Sequence, residues 1–202
     1  MGESSGLDCD AMATIDEQRV REVVRQVIER HLAVARADEP RALESAATPG
    51  ADAARRVAIG SDHGGFELKR VLIAYIGDEL GWTVHDCGTH STDAVDYPDF
   101  AAAVAREVAA GRSRRGIVID AAGIGSTMAA NKIAGVRCAL CHDDATALNA
   151  RQHNDANLMA LGARVVNRGL AQRLVRLFLA TEFEGGRHQR RVLKIMSLER
   201  GR

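Results

Sequence analysis

The sequence predicts an α/β/α sandwich around a parallel sheet, preceded by an amphipathic helix on a flexible linker. Three observations carry that reading. From residue 55 onward, short apolar runs alternate with longer segments of helical periodicity. Strands that alternate with helices imply parallel pairing, with the intervening helices covering both sheet faces. Gly-containing turns follow the runs at 56–60 and 116–120, as strand-to-helix connections require. Before residue 55 the composition changes: one periodic segment is followed by a stretch rich in Ala, Asp, Glu and Pro.

Residues 1–13 are small and polar and are expected to be disordered. Residues 14–34 form the predicted amphipathic helix. Thr14 and Glu17 make a capping-box pattern at its start. Val20, Val23, Val24, Val27, Ile28 and Leu32 recur at three- and four-residue spacing and line one stripe, with Arg21, Glu22, Arg25, Glu29 and Arg30 largely opposite. Residues 35–54, with Pro40, Pro49 and Gly50, read as a flexible linker. A helix so tethered cannot bury its stripe alone and needs a partner surface.

Residues 55–202 form the predicted globular domain. Strands are expected at 56–60, 83–87, 116–120, 136–141 and 158–161. Helices are expected at 66–80, 99–110, from 126, at 143–153, at 168–181 and from 188. In such sheets ligands bind at the carboxyl ends of the strands, so functional residues are sought just after each strand.

Composition narrows the function. The chain has 202 residues, enough for one sizeable core or a domain with an appendage. Its 27 basic residues balance 27 acidic ones, which gives no support for broad nucleic-acid or anionic-membrane binding. Aromatics are only 3%, too few for a base-stacking platform. No apolar run approaches the roughly 20 residues a bilayer requires. Residues 1–10 lack a basic region followed by an apolar one, which argues against a secretory signal. Of Cys9, Cys87, Cys138 and Cys141, only the last two are close. That lone CxxC has no second pair to complete a zinc site, and strand alternation would turn its sulfurs to opposite faces. Reduced thiols of a cytosolic protein are the expectation.

Four segments carry candidate chemistry. Ser61-Asp62-His63-Gly64-Gly65 places a carboxylate and an imidazole between a strand and a helix, although an Asp there is often only a cap. Asp120-Ala121-Ala122-Gly123-Ile124-Gly125-Ser126 offers backbone N–H groups at a helix start, where an anion is favoured. It is neither a dinucleotide fingerprint nor a Walker loop. Arg151-Gln152-His153-Asn154-Asp155 gathers polar groups at a helix end. Arg187 and Arg191 are four apart, so on a helix they share a face that suits one phosphate, or simply a solvated basic surface.

Together these segments resemble the ribose-5-phosphate isomerase B/galactose-6-phosphate isomerase family over nearly all of residues 56–199. The resemblance includes Ser61-Asp62-His63-Gly64-Gly65-Phe66-Glu67-Leu68-Lys69, Asp96-Tyr97-Pro98, Ala129-Ala130-Asn131-Lys132, Arg151 to Asp155, and Gly185-Gly186-Arg187-His188-Gln189-Arg190-Arg191. It implies a Rossmann-like α/β/α fold and a homodimer, or a tetramer built from it, with active sites shared between subunits. It also implies aldose–ketose isomerisation of a sugar phosphate through a cis-enediolate, with neither metal nor cofactor. Asp62 and His153 would open the sugar ring. His63, Arg164, Arg187 and Arg191 would hold the phosphate, some from the partner subunit, and Asn154 would bind sugar hydroxyls. The backbone amides of Ala121, Ala122, Gly123, Ile124, Gly125 and Ser126 would stabilise the enediolate oxygen.

The departures fall on the base. The family has a Cys where this chain has Asp120 or, in another branch, a Glu where it has Ser126. A Ser or Thr is replaced by Ala122, and a Gly by Ala121. Asp120 is therefore the candidate base, since a carboxylate can move a proton between adjacent carbons. The alternatives are that Asp120 caps the turn, that the chain binds sugar phosphate or acts as a scaffold without turnover, or that its substrate is a tetrose or hexose phosphate. The segment 14–34 resembles the encapsulation peptides that load enzymes into bacterial microcompartments. That resemblance places the protein in the cytoplasm or in a compartment lumen, with a shell protein, a co-encapsulated enzyme or its own dimer as the helix's partner.

Overall fold

The computed structural model describes residues 55–201 and, within the N-terminal segment, the four helical positions Glu22, Arg25, Gln26 and Glu29. The expectations for residues 1–13, the rest of 14–34 and 35–54 lie outside the described residues. At the four described positions, Glu22 accepts from Arg25 at 3.2 Å and from Gln26 at 3.0 Å, the three- and four-residue pairings of a helix face. The chain divides into two compact units, Met1–Ser45 and Ala46–Arg202.

The second unit is the expected sandwich. Its elements are β1 (Arg56–Ser61), α1 (Phe66–Ala74, continued by a π-helical turn Tyr75–Glu79), β2 (Thr83–Asp86), α2 (Tyr97–Ala109), β3 (Arg115–Asp120), α3 (Ile124–Ala130), β4 (Cys138–Leu140), α4 (Asp144–Gln152), β5 (Leu158–Gly162), α5 (Arg168–Ala180) and α6 (Arg187–Ser197), closed by a 3₁₀ turn Leu198–Gly201. All pairs are parallel, in the order β2-β1-β3-β5-β4. Helix α2 begins two residues earlier than expected, because Pro98 sits in its first turn, where a missing N–H costs nothing. Strand β4 is shorter than expected. It is an edge strand, and Asn131 accepts from the Cys138 N–H and donates to its carbonyl, satisfying part of that edge.

Alternation along the strands builds two cores. Val57, Ile59, Ile117, Ile119, Met159 and Leu161 face one side, against Leu72 and Ile76 and against Leu174, Val175 and Phe178 of α5. Ala58, Val118, Leu158 and Ala160 face the other side, against Ala101, Val104 and Ala105 of α2 and Ala130 of α3. Cys138 lies in the second core and Cys141 in the first, so the CxxC sulfurs do turn to opposite faces. Burial pushes Cys138 above its usual range and Cys141 up to about 12, which leaves both as inert thiols.

The direction in which successive strands are added to the sheet reverses between β1 and β3. One connection runs from β1 out to β2, and the other from β3 toward β5 and β4. A crevice forms at the carboxyl ends of strands flanking such a reversal. Asp62 and Asp120 emerge there.

Candidate active site

At the carboxyl end, Asp62 follows β1 directly. Its N–H donates to Ile119 O at 3.2 Å, fixing it against β3, and its Oδ1 accepts from Gly65 N at 2.9 Å. The side chain is buried. His63 is exposed, and its Nδ1 accepts from Val95 N at 3.3 Å. Asp120 ends β3, and the turn after it wraps around its carboxylate. Oδ1 accepts from Ala122 N at 2.8 Å and from Gly123 N. Oδ2 accepts from Ser126 N at 3.0 Å and from Ser126 Oγ at 2.6 Å. An ionised carboxylate offers about four lone-pair positions, and here each oxygen takes two donors.

The turn needs its glycines. Gly123 has φ +80°, a left-handed conformation that only glycine adopts without cost. A Cβ on Gly125 would lie 2.5 Å from the ring of Tyr97, which packs over the turn. Arg164 follows β5 and is exposed, with its N–H on Ala121 O at 3.0 Å. The sheet end thus gathers Asp62, His63, Asp120, the amides of residues 121–126 and Arg164. The amides of Ala122, Gly123 and Ser126 serve Asp120, and those of Ile124 and Gly125 are not among its partners.

His153 and Asn154 are elsewhere. They lie between α4 and the start of β5, at the amino end of the sheet. Leu158 pairs with Gly116 and Gly162 with Asp120, so about 13 Å of strand separates the two ends at roughly 3.3 Å per residue. Arg187 and Arg191, in the first turns of α6, join His153 at that amino end. Their neighbour His188 stacks on His153, ring centroids 4.2 Å apart and 2° from parallel. One chain therefore does not bring Asp62 and His153 together.

The amino-end turn is held by charge. Arg151, buried to 1% exposure, donates to Asp155 Oδ1 (3.0 Å), Ala156 O (2.5 Å) and Thr181 O (3.1 Å). Arg137 grips Asp155 from the other side, at its carbonyl (2.7 Å) and its Oδ2 (3.0 Å). Asp155 has φ +44°, a conformation this clamp maintains. Within the motif, then, Arg151 and Asp155 are supports, and His153 and Asn154 are what they present. Asn149 ties the pair together, meeting His153 Nδ1 at 2.8 Å and accepting from Asn154 at 2.9 Å.

His153, Glu184 and His188 bring three ligand-type atoms within 4.8 Å of one another. An imidazole binds a metal in its own ring plane. Two stacked parallel rings share no such point, so the geometry is that of an aromatic stack.

His188 and Lys69 are part of this arrangement without a role expected from the sequence. Thirty-five residues separate His188 from His153, and no periodicity links them. Lys69 did leave a signal: it occupies the buried stripe of α1 with Leu72. It donates to Asp86 Oδ1 at 2.5 Å and Thr89 O at 2.7 Å, anchoring the segment after β2 that leads to His63's partner Val95.

An open parallel α/β fold, with Asp62 and Asp120 at its switch point and a turn of backbone amides beside them, has the architecture of a small-molecule site. Comparison narrows the class. Residues 57–195 match the Ribose/Galactose Isomerase family, and the chain belongs to it. It is 44% identical over 148 residues to ribose-5-phosphate isomerase B of Escherichia coli, spanning 73% of this chain and 99% of that one. Among solved structures, ribose-5-phosphate isomerase B of Clostridium thermocellum superposes with a TM-score of 0.70 at 49% identity, covering 72% of this chain and 98% of that one. The type B ribose 5-phosphate isomerase of Trypanosoma brucei gives 0.69 at 44% identity, covering 72% and 99%.

Proposed function

We propose that this protein is an aldose–ketose isomerase that interconverts ribose 5-phosphate and ribulose 5-phosphate, working as a homodimer with shared sites. The observation that carries the dimer is the division of the candidate residues between opposite ends of one sheet. A two-fold pairing sets the carboxyl end of each subunit against the amino end of its partner, so two complete sites form together. Asp62 and the partner subunit's His153 then open the furanose. His63, Arg164 and the partner's Arg187 and Arg191 hold the phosphate, and the partner's Asn154 takes a sugar hydroxyl.

Asp120 is the proposed base. The proton on C2 passes to Oδ2, the C–H electron pair forms the enediolate double bond, and the carbonyl pair moves onto O1. The O2 hydroxyl proton then passes to O1, an O2 electron pair closes the C2=O2 carbonyl, and the C1=C2 pair takes the same carbon proton back at C1, which completes the isomerisation. Of the four donors on Asp120, the Ser126 hydroxyl is the one that can rotate away and free a lone pair without moving backbone. The uncommitted amides of Ile124 and Gly125 would receive the enediolate oxygen. One observation favours a second reading, a sugar-phosphate binder without turnover: both oxygens of Asp120 are fully engaged by its own turn.

Mixing two variants separates these readings. Asp120→Asn and His153→Gln should each be inactive on ribose 5-phosphate. Subunit exchange should restore about a quarter of wild-type activity, because half the dimers become mixed and each mixed dimer holds one intact site. Wild-type silence on pentose, tetrose and hexose phosphates would favour the binder. Activity in wild type without complementation would place each site within one chain.

The proposal extends to residues 14–34 as an addressing helix for a microcompartment. A chain lacking residues 1–54 should keep its kcat and lose co-sedimentation with shell protein. Retained co-sedimentation would sink that role.

A further inference from the structure

His188 stacks on His153, and the two rings differ in setting. His188 is 6% exposed, whereas the His153 side chain is 36% exposed. A buried ring thus backs a half-open one, covering one face of His153 and leaving its edge accessible.

Hydrogen bonds fix both rings. The Asn149 amide nitrogen meets His153 Nδ1 at 2.8 Å, so Nδ1 accepts and a neutral His153 carries its proton on Nε2. That Nε2 lies 3.7 Å from Glu184 Oε2. Arg187 Nε donates to His188 Nε2 at 3.3 Å, which puts the proton of His188 on Nδ1. Burial holds His188 below its usual pKa range, reinforced by His153, Arg187 and Arg191 and opposed by Glu184. A neutral ring face attracts a cation stacked on it, whereas two stacked imidazolium ions would repel. An uncharged His188 therefore supports His153 in both of its protonation states.

We propose that His188 is a positioning residue for ring opening, holding the His153 imidazole in one orientation while that ring exchanges a proton with the sugar. The inference rests on the isomerase reading. In ring opening the anomeric hydroxyl gives up its proton, and the O1 lone pair closes the C1=O1 bond. The C1–O4 pair goes to O4, which takes a proton. Asp62 and His153 between them accept one proton and donate one, so the step is balanced.

The chemistry of the two sugars supplies the test. Ribose 5-phosphate closes a furanose through O4 and must be opened. Ribulose 5-phosphate has its O5 phosphorylated, has no hydroxyl placed to close a five-membered ring on C2, and arrives already open. Loss of His188 should therefore slow the aldose direction and spare the ketose direction.

The experiment measures kcat and KM in both directions for wild type, His188→Ala, His188→Phe and His153→Gln. His188→Ala should lower kcat on ribose 5-phosphate about tenfold or more, since small misplacements of a catalytic group carry costs of that order. On ribulose 5-phosphate it should stay within twofold. His188→Phe, which keeps a flat neutral ring, should recover most of the lost rate, and His153→Gln should show the same directional split. Equal losses in both directions, or no loss in either, would overturn the proposal while leaving the isomerase standing. If His188→Ala does not fold, His188→Phe and His188→Asn decide the matter: the proposal requires the ring to be spared and the amide to show the split. A wild type that turns over neither sugar would remove the isomerase reading and this inference with it.

Discussion

The two ends of the sheet present their functional groups by opposite means. At the carboxyl end the donors proposed for the enediolate are backbone N–H groups, and a carboxylate, Asp120, gathers the turn that carries them. At the amino end the groups proposed to act are side chains, His153, Asn154, Arg187 and Arg191. There a buried cation, Arg151, gathers backbone carbonyls instead. Each end uses one buried charge to satisfy polar backbone that a tight turn would leave unpaired. A carboxylate collects amides, and amides suit an oxyanion. A guanidinium collects carbonyls, which frees neighbouring side chains to project. Asp120 thus stands in two roles at once, as organiser of its turn and as candidate base, whereas Arg151 stands in one.

The largest expected effect tests that double role. Asp120→Asn keeps the size of the side chain but removes its charge and replaces one accepting oxygen with a donating NH2, so kcat on ribose 5-phosphate should fall about a thousandfold, within the range of a lost general base. Binding of a pentitol 5-phosphate, measured by calorimetry, should change by less than about threefold. A variant with near-wild-type kcat would make Asp120 an organiser only, and the two ends would then be alike in kind.

Next comes the organiser of the other end. Arg151→Met removes three bonds from a residue that is 1% exposed. Asp155 keeps its bond to Arg137, but the carbonyls of Ala156 and Thr181 lose their donor. A loss of about 3 kcal/mol is expected for such a buried, bonded charge. By differential scanning calorimetry that corresponds to roughly 6–12 °C in Tm for a domain of this size. A shift under 2 °C would show that the turn around Asp155 holds itself.

A smaller effect is expected at Gly125. An added Cβ would meet the Tyr97 ring, but Tyr97 is 40% exposed and has room to swing out. The helical preference for Ala offsets part of the clash. Gly125→Ala should therefore move Tm by less than about 3 °C while lowering kcat/KM several-fold, because the amide proposed to receive the enediolate oxygen is displaced. Unchanged kcat/KM would take that amide out of the oxyanion hole.

How much of this was legible in the sequence differs between the two ends. The alternation of Val57, Ile59, Ile117 and Ile119 with Ala58 and Val118 fixed the sheet and both cores, because strand periodicity is a local property. Placement just after a strand located Asp62 and Asp120 correctly, since topology alone sends those positions to the crevice. The amino-end cluster was legible only as a motif. His153 follows a helix and precedes a strand, so topology sends it to the opposite end, a consequence that motif matching does not reveal. Where the lone pairs of Asp120 point, and that His188 lies on His153, depend on contacts between residues distant in sequence or on rotamers, for which a sequence holds no periodic trace. Tyr97 over Gly125 is of the same kind.

The smallest effect is a pH dependence confined to the amino end. His188 is held below its ordinary value of 6.5 by burial first and by His153, Arg187 and Arg191 next. The unfolded chain therefore binds this proton at a higher pH than the folded chain does. The neutral ring's contribution to stability is complete above 6.5 and is lost as pH falls from there through the lowered folded value. Urea midpoints of wild type should accordingly decline as pH drops below 6.5, and His188→Phe, with nothing to protonate, should decline less. The carboxyl-end variant Asp120→Asn should leave that difference between His and Phe intact, because the two ends lie on separate turns. If His188→Phe tracks wild type throughout, the ring's neutrality contributes nothing to the fold. The stack would then be a matter of shape alone, held by Asn149 and Arg187 through their hydrogen bonds to the two rings.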